Sequence, residues 1–406
     1  MSANARSLVD RVHASPRYAL GAALALGLLL GLSGNLRAQA PARSGFPVDL
    51  EIPLSPTPVR AGGRVHLFYE LHITDFIDKP VELVHLDVLK GDAGSPPLAS
   101  YRQDDLDKRM VQPGAAPSPA GVRIIPGGSR AVVFIELTLD AGAALPQALR
   151  HQLTFDYKKN DGTTAESVVD GAAVAIAPGK PLALMPPLRG DGWVAGDVLS
   201  NDGDHRRTLT AINGRVRIPQ RFAIDWVRID EDGHAFRGSA AQNESWIGYG
   251  AEVLAVADGV VSSIMDGIAD NDGNAGPKAR ITVETIGGNY IVLALADGRY
   301  CLFAHLKPGS LRVKLGDKVR AGQVLALLGN SGNTTAPHLH FHVTDANSAL
   351  GAEGVPYVFT SFEVAGTVQS PDPLLDEGAA WQPAPGTHPE NRSGEIPTNW
   401  AVLRFP

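Results

Sequence analysis

Residues 329–343 read Gly-Asn-Ser-Gly-Asn-Thr-Thr-Ala-Pro-His-Leu-His-Phe-His-Val, a glycine-containing turn followed by histidines that alternate with apolar residues. Successive side chains of a β-strand point to opposite faces, so we expect His338, His340 and His342 to share one face. The apolar residues between them would then enter the core. Three imidazoles on one strand face predict a metal or acid–base site, the alternative being an exposed polar face.

The composition bounds the class of protein. The chain has 406 residues, of which 44% are hydrophobic and 19% are charged, with a net charge of −7. These values are typical of one large or two ordinary globular domains with real cores. The mild acidity, without a basic stripe, argues against a nucleic-acid partner. Abundant glycine and proline with few aromatic residues favour short strands and turns over long helices, and we therefore predict an all-β fold.

Residues 1–40 have the three-part plan of a secretory signal peptide. Arginines precede an apolar run over 18–32, and Ala-Gln-Ala at 38–40 is a small-residue cleavage site. The apolar run is shorter than the roughly 20 residues that span a bilayer. We therefore expect cleavage near Ala40, no stable membrane span afterwards, and a periplasmic or secreted protein. An uncleaved anchor is the alternative.

The next 132 residues, 45–176, predict a β-sandwich of immunoglobulin-like kind, because short strands alternate with turn signals. Within 65–74, apolar residues alternate with polar ones, which is the pattern of a half-buried strand. The histidines of this region lack a spacing suited to a metal, and we expect them at the surface or at strand edges. They are His66, His72, His85 and His151.

Further along the chain, prolines in 177–192 predict an extended linker. Residues 193–365 then read as an antiparallel β domain, and 366–406 as a Pro/Gly-rich tail whose last apolar residues dock on the protein. The single cysteine, Cys301, cannot form an internal disulfide, and we expect a buried small hydrophobe. The strands predicted in the second domain are 222–227, 253–257, 260–264, 280–284, 290–295, 300–305, 323–328 and 338–343.

Four motifs carry a resemblance to a known family. In chain order they are Ala-Val-Ala-Asp-Gly-Val-Val at 255–261, Phe-Ala-His-Leu at 303–306, Gly-Asp-Lys-Val-Arg-Ala-Gly-Gln at 316–323 and Ala-Pro-His-Leu-His at 336–340. Together they resemble the lysostaphin-type (LytM-like) zinc metalloendopeptidases. The resemblance implies a lysostaphin-like antiparallel β peptidase domain that binds Zn²⁺ and cleaves peptide cross-links of bacterial peptidoglycan.

The resemblance also implies roles for individual residues. By position, His340 and Asp225 would be metal ligands, His338 a general base, and His305 a stabiliser of the transition state. His342 lies two residues beyond the family motif, and we expect it to support the site or line its rim.

One position departs from the family pattern. Arg221 stands four residues before Asp225, where the family has its first zinc histidine. A guanidinium carries only hydrogen-bond donors, so it cannot bind zinc. Two interpretations follow. In the first, His205 in the segment Asp-His-Arg-Arg supplies the third ligand, with His234 as a weaker substitute.

In the second interpretation the metal is lost and Arg221 pairs with Asp225 in its place. The protein would then be a non-hydrolytic cell-wall-binding or enzyme-activating module with cell-wall enzymes as partners. We expect a metal site, because a decayed site would be expected to lose more than one residue, and His305, His338, His340 and Asp225 are all present.

Overall fold

The structure is a computed structural model that describes residues 45–91, 95–114, 121–201 and 203–406. The predicted signal peptide and its cleavage site lie outside these residues. Ser44–Pro406 form one compact unit. Strands of antiparallel sheets dominate it, which confirms the all-β fold class. Among the described residues, no helix has the length and apolarity needed to cross a membrane.

The N-terminal part consists of two antiparallel sheets. Its elements are β1 (Val48–Glu51), β2 (Val59–Ala61), β3 (Arg64–Asp75), β4 (Val81–Lys90), β5 (Ala99–Arg102), α1 (Gln103–Arg109), β6 (Met110–Val111), β7 (Ile124–Ile125), β8 (Arg130–Asp140), β9 (Ala148–Lys158) and β10 (Thr164–Ala175). One sheet has the order β1-β3-β8-β6, with β2 beside β3. The other has the order β10-β9-β4-β5, with β7 beside β4.

The two N-terminal sheets share one core. Leu67, Tyr69 and Leu71 of β3 point into it and meet residues such as Leu153 and Phe155 of β9. These are the odd-numbered positions of the alternation in 65–74, so the inward face of β3 follows from the pattern. Two sheets around one apolar core form a sandwich, whereas its immunoglobulin-like kind stays a prediction.

The outward face of β3 is also buried, which corrects the expectation of a half-buried strand. Phe68 and Glu70 are each 3% exposed. The reason is tertiary, because Phe68 packs edge-on against Phe222 of the second part at 6.2 Å between ring centroids. A strand that is covered on both faces by packed elements leaves no side for water.

Two N-terminal histidines also lie deeper than expected. His72 is 6% exposed and His151 is 0% exposed, so their assignment to the surface or strand edges is wrong. His151 sits in the sandwich and makes two hydrogen bonds. Its Nδ1–H donates to Ala172 O at 3.0 Å, and its Nε2 accepts from the Tyr69 hydroxyl at 2.8 Å. A neutral ring satisfies both bonds, and burial lowers the pKa of His151 to about 4.

This histidine makes folding stability sensitive to acid. Between its folded pKa of about 4 and the ordinary value of 6.5, the unfolded chain holds a proton that the folded chain does not. The stabilising effect of a neutral His151 is therefore complete above pH 6.5 and declines as the pH falls. We expect a loss of about 2 kcal/mol between pH 7.5 and pH 5 that His151→Gln does not show. Urea unfolding of both proteins at both pH values measures it, and equal losses would contradict the assignment.

The second part is built on a large antiparallel sheet. Its elements are β11 (Leu182–Leu184), β12 (Gly190–Gly196), α2 (Asp204–Arg207), β13 (Thr210–Ile212), β14 (Arg215–Arg217), β15 (Ile224–Arg228), a 3₁₀ turn (Asn243–Ser245), β16 (Glu252–Leu254), β17 (Gly259–Met265), β18 (Asn289–Ala294), β19 (Tyr300–Leu306), β20 (Lys318–Val319), β21 (Val324–Leu327), β22 (Leu339–Thr344), β23 (Tyr357–Phe359), β24 (Phe362–Thr367), α3 (Pro371–Leu375), β25 (Glu390–Arg392) and β26 (Ala401–Phe405).

Ten strands form this sheet in the order β20-β17-β18-β19-β22-β15-β12-β26-β24-β25. The strands that carry the predicted site, β19, β22 and β15, are neighbours at its centre. The last strand, β26, lies between β12 and β24, so the end of the chain is part of the sheet. β11 pairs with β23 in parallel, while β13 with β14 and β16 with β21 form two small sheets.

One predicted strand is absent. Residues 280–282 have no regular structure and 283–287 form a turn, in which the Thr282 side chain bonds to the backbone that follows it. Its hydroxyl accepts from the backbone N–H of Glu284 at 3.2 Å and of Thr285 at 3.3 Å. Such short-range bonds compete with strand pairing, and the apolar pattern alone did not reveal them.

Candidate metal centre

Strand pairing brings the first two site residues together. β15 runs antiparallel to β22, and the register places Asp225 directly opposite His340. Side chains of paired residues in neighbouring strands point to the same face. The His340 Nδ1 accordingly lies 2.8 Å from Asp225 Oδ1.

His205 reaches the same carboxylate from α2. Its Nε2 lies 3.3 Å from Asp225 Oδ2. Its Nδ1 lies 3.2 Å from Asp197 Oδ2 and 3.3 Å from Asp197 O. An Nδ1–H that donates to Asp197 leaves the Nε2 lone pair of the neutral ring directed at Asp225. A carboxylate behind a histidine in this way fixes the ring orientation and tautomer that a metal requires.

The three side chains fit a divalent metal ion. Ligand atoms of His205, Asp225 and His340 all lie within 4.8 Å of one another. Ligands that bind zinc at about 2.0–2.2 Å are themselves roughly 3–4 Å apart. Two imidazoles and one carboxylate, with a further position left for water or substrate, form a common catalytic donor set for zinc.

Two further histidines flank this cluster. His338, just before β22, has its Nε2 at 3.5 Å from Asp225 Oδ1, while its Nδ1–H donates to Ala336 O at 2.8 Å. His305, at the end of β19, donates its Nδ1–H to Ser331 O at 2.8 Å. The two rings are 4.7 Å apart between centroids. Both hydrogen bonds use Nδ1, so Nε2 carries the lone pair when either ring is neutral.

His342 supports His340 from the side away from Asp225. Its Nδ1 lies 2.9 Å from His340 Nε2. Gln220 Nε2 lies 3.5 Å from the same nitrogen. His340 therefore has both ring nitrogens engaged, one toward the carboxylate and one toward His342, which holds its ring plane. His342 is 1% exposed, so it is a buried support and not a rim residue.

These residues line a cleft that a substrate can enter. Its volume is about 720 Å³, which is the size of a pocket for a small molecule or a few residues of peptide. Its polar lining includes the six site residues above and Asp197. Its apolar lining includes Leu209, Ile286, Leu302 and Leu350.

The charges of the cluster are strongly coupled. Burial by itself would raise the pKa of Asp225, yet His205 and His338 hold it well below its ordinary value. Burial opposes a charge on His205, but the carboxylates of Asp225 and Asp197 outweigh it and raise the pKa of His205 to about 9. Without metal, His205 is therefore an imidazolium whose two N–H groups face the carboxylates of Asp197 and Asp225. A metal ion that binds Nε2 must displace the proton on that nitrogen.

Arg221 lies apart from this cluster. It precedes β15, and its guanidinium donates to Glu70 Oε2 at 2.9 Å and to Glu353 Oε2 at 3.0 Å. In the second interpretation of the sequence, Arg221 pairs with Asp225 in place of the metal. That pairing is not formed, because β15 begins only at Ile224 and the preceding turn directs Arg221 to the N-terminal sheet. His234 contacts Gly378 O at 2.9 Å and does not join the cluster.

The sequence did not reveal three supporting residues. Asp197 orients His205, Ser331 orients His305 through its carbonyl, and Glu70 binds Arg221 from 151 positions away. Only Asp197 left a usable signal, since it is a carboxylate eight residues before a candidate ligand. A backbone carbonyl and a distant strand residue leave none.

Comparison with known proteins agrees with this geometry. Residues 246–351 match the sequence profile of Peptidase family M23. This segment is similar to peptidase family M23. The resemblance to the lysostaphin-type enzymes is thereby confirmed. The M23 segment contains His305, His338 and His340, whereas His205 and Asp225 lie upstream of it.

Individual relatives are similar over short stretches. Lysostaphin of Staphylococcus simulans is 35% identical over 91 residues, which are 21% of this chain and 18% of that protein. Glycyl-glycine endopeptidase ALE-1 of Staphylococcus capitis is 46% identical over 56 residues, 14% of this chain and 15% of that protein. The chain thus spans less than a fifth of either relative.

Among solved structures, the catalytic domain of the antimicrobial peptidase lysostaphin from Staphylococcus simulans is 24% identical. It aligns with 41% of this chain and 88% of its own, at a TM-score of 0.22.

Proposed function

We propose that the protein is an exported zinc metalloendopeptidase that hydrolyses peptide bonds of bacterial peptidoglycan. The observation that carries the proposal is the convergence of His205, Asp225 and His340 within 4.8 Å, beside two further histidines in a cleft. His205 occupies the role that Arg221 cannot fill.

Zinc is the metal that the donor set favours. Imidazole and carboxylate ligands with an open position are typical of hydrolytic zinc sites, and Asp197 behind His205 adds the usual outer support. When bound, zinc supplies Lewis acidity that activates water near neutral pH. The binding residues would be His205, Asp225 and His340.

His338 is placed to take the proton of the attacking water. Its Nδ1–H is held by Ala336 O, so Nε2 is the basic nitrogen of the neutral ring, and it faces Asp225. The nearby carboxylate stabilises the imidazolium that forms. The same group can then deliver the proton to the leaving amine.

His305 is placed to stabilise negative charge on the peptide oxygen. Because its Nδ1–H is used by Ser331 O, its Nε2 becomes a donor only when the ring is protonated. Burial, together with His338 and His340, keeps the pKa of His305 well below its ordinary value. His305 would thus carry a proton chiefly when a developing oxyanion faces it, and the interaction would favour the transition state over the bound substrate.

The substrate class follows from the match of one segment to Peptidase family M23 and from the cleft. The M23 segment and the likeness to an enzyme named glycyl-glycine endopeptidase support cleavage of a peptide bond. A cleft of about 720 Å³ takes a few residues of an extended peptide. The apolar run and small-residue site in 1–40 support export to the compartment where peptidoglycan lies.

The test measures zinc and hydrolysis in the same preparation. The protein without residues 1–40 is dialysed against a weak chelator, its zinc content per chain is determined, and release of new amino groups from purified peptidoglycan is followed. We expect close to one zinc per chain and hydrolysis that stops when a strong chelator removes the metal and returns when zinc is restored.

Other results would point elsewhere. Zinc without hydrolysis of peptidoglycan would redirect the search to other peptide substrates. A zinc content near zero would favour the non-hydrolytic alternative, in which the protein binds the wall or activates a wall enzyme. Pull-down of such enzymes would then be the next experiment.

A further inference from the structure

A buried ion cluster joins the N-terminal sandwich to the candidate metal centre. Glu70 of β3, Arg206 of α2 and Arg221 are 3%, 2% and 4% exposed, respectively. Glu353, from the loop after β22, completes the cluster. Two carboxylates and two guanidinium groups leave it without net charge, which is the condition under which charges tolerate burial.

Glu70 receives the guanidinium groups of both arginines. Arg221 donates to it through Nε and Nη2 at 3.0 Å and 2.9 Å. Arg206 donates to the other carboxylate oxygen through Nε at 3.4 Å. Burial would raise the pKa of Glu70, yet the two arginines outweigh it and hold it below the ordinary value. Glu70 is therefore charged and fully engaged.

Arg206 Nη1 donates to the side-chain oxygen of Asn201, and further donors of both arginines bind backbone carbonyls. Arg206 Nη2 donates to Tyr69 O at 3.1 Å and Ile135 O at 2.8 Å, which are carbonyls of β3 and β8. Arg221 Nη1 donates to Gly354 O at 3.0 Å. A planar guanidinium with this many fixed acceptors has one orientation only.

Both arginines are close in sequence to a candidate ligand. Arg206 follows His205 directly in α2, a helix of four residues with no side-chain cap. Arg221 lies in the turn that leads into β15 and Asp225. So short a helix has little stability of its own, and its position depends on tertiary contacts. Glu70 thus fixes the backbone of the two segments that meet at the metal centre.

We propose that Glu70 is a positioning residue of the metal centre, through which the N-terminal sandwich clamps the segments bearing His205 and Asp225. Arg221 then has a structural task at the position where the resembled family carries a ligand. The sandwich is in this view a part of the site and not a separable spacer. The inference rests on the proposed metal-binding role of His205, Asp225 and His340.

The test is the zinc affinity of Glu70→Gln, in which both domains are kept and residues 1–40 are removed as in the wild type. Zinc binding is measured by competition with a chromophoric chelator, and thermal unfolding is measured without metal. Glutamine keeps the size of glutamate but leaves an excess buried positive charge and loses one charged acceptor. We expect zinc affinity to fall about 10- to 100-fold, as for outer-shell partners of metal ligands.

Two more variants complete the design. Glu166→Gln makes the same chemical change at an exposed site of β10 and should bind zinc like the wild type. Glu70→Asp keeps the charge but shortens the side chain, so it should fold even if Glu70→Gln does not. We expect the zinc affinity of Glu70→Asp to lie between those of the wild type and Glu70→Gln. If Glu70→Gln does not fold, the expected result is that Glu70→Asp binds zinc more weakly than the wild type.

The outcomes separate the two proposals. If the wild type binds no zinc, the proposed function fails and the inference fails with it. If the wild type binds zinc and folded Glu70→Gln or Glu70→Asp binds it equally well, the positioning role is wrong while the proposed function stands. A lowered unfolding temperature with unchanged zinc affinity would likewise reduce Glu70 to a purely structural residue.

Discussion

His205→Ala is expected to remove zinc as completely as His340→Ala does. Each change takes one of three protein ligands, and two ligands hold zinc far more weakly than three. Loss of an outer-shell partner alone costs about 10- to 100-fold in affinity, so we expect a loss of more than about 100-fold for either variant. Hydrolysis at limiting zinc should disappear with the metal.

The measurement is zinc per chain after dialysis, followed by a chelator competition titration. His234→Ala is the matched control, because His234 follows Asp225 in the chain but contacts Gly378 O. It should retain wild-type zinc. If His205→Ala also retained it, His205 would not be a ligand, and the contact of 3.3 Å with Asp225 would be an ordinary ion pair.

His338→Gln is expected to lower kcat by about 10²- to 10⁴-fold, the range of general acid–base catalysis. Glutamine is polar and similar in reach, but it has no nitrogen that takes a proton near neutral pH. Zinc binding should persist, since the predicted ligands are untouched. The combination of bound zinc and lost turnover distinguishes a base from a ligand.

Zinc content and peptidoglycan hydrolysis are measured on the same sample of His338→Gln. His388→Gln, in the exposed part of the C-terminal region, serves as a control for the histidine-to-glutamine change. Unchanged turnover in His338→Gln would exclude it as the base and leave His305 as the candidate. Loss of zinc together with turnover would instead make His338 a ligand.

The sequence predicted the all-β class and the strands that carry the site, β15, β19 and β22, because strand alternation and turn residues are local signals. His338, His340 and His342 share a strand face for the same reason. The strand predicted at 280–284 was wrong, since hydrogen bonds of Thr282 to its own backbone form a turn. The apolar pattern of 280–284 favoured a strand, but it gave no sign of the hydrogen bonds that the Thr282 hydroxyl makes with the backbone after it.

Burial was harder to predict than strand position. The alternation in β3 identified its inward face, but Phe68 and Glu70 on the other face are each 3% exposed. No residue near Glu70 in the sequence indicates that it pairs with Arg221, which is 151 positions away. A polar residue in a strand looks the same in sequence whether water or another domain covers it.

The chemistry of the site could thus be read from residue types and spacing along single strands, which set the histidines, the carboxylate and the likeness to a peptidase family. The direction of Arg221 and the contact of His205 with Asp225 depended on folding in three dimensions. Arg221 lies in a turn and His205 in a helix of only four residues, and contacts of Arg221 and Arg206 with the N-terminal sandwich set the position of both segments. Hydrogen-bond partners far apart in sequence meet only when the chain folds, so no local pattern encodes them.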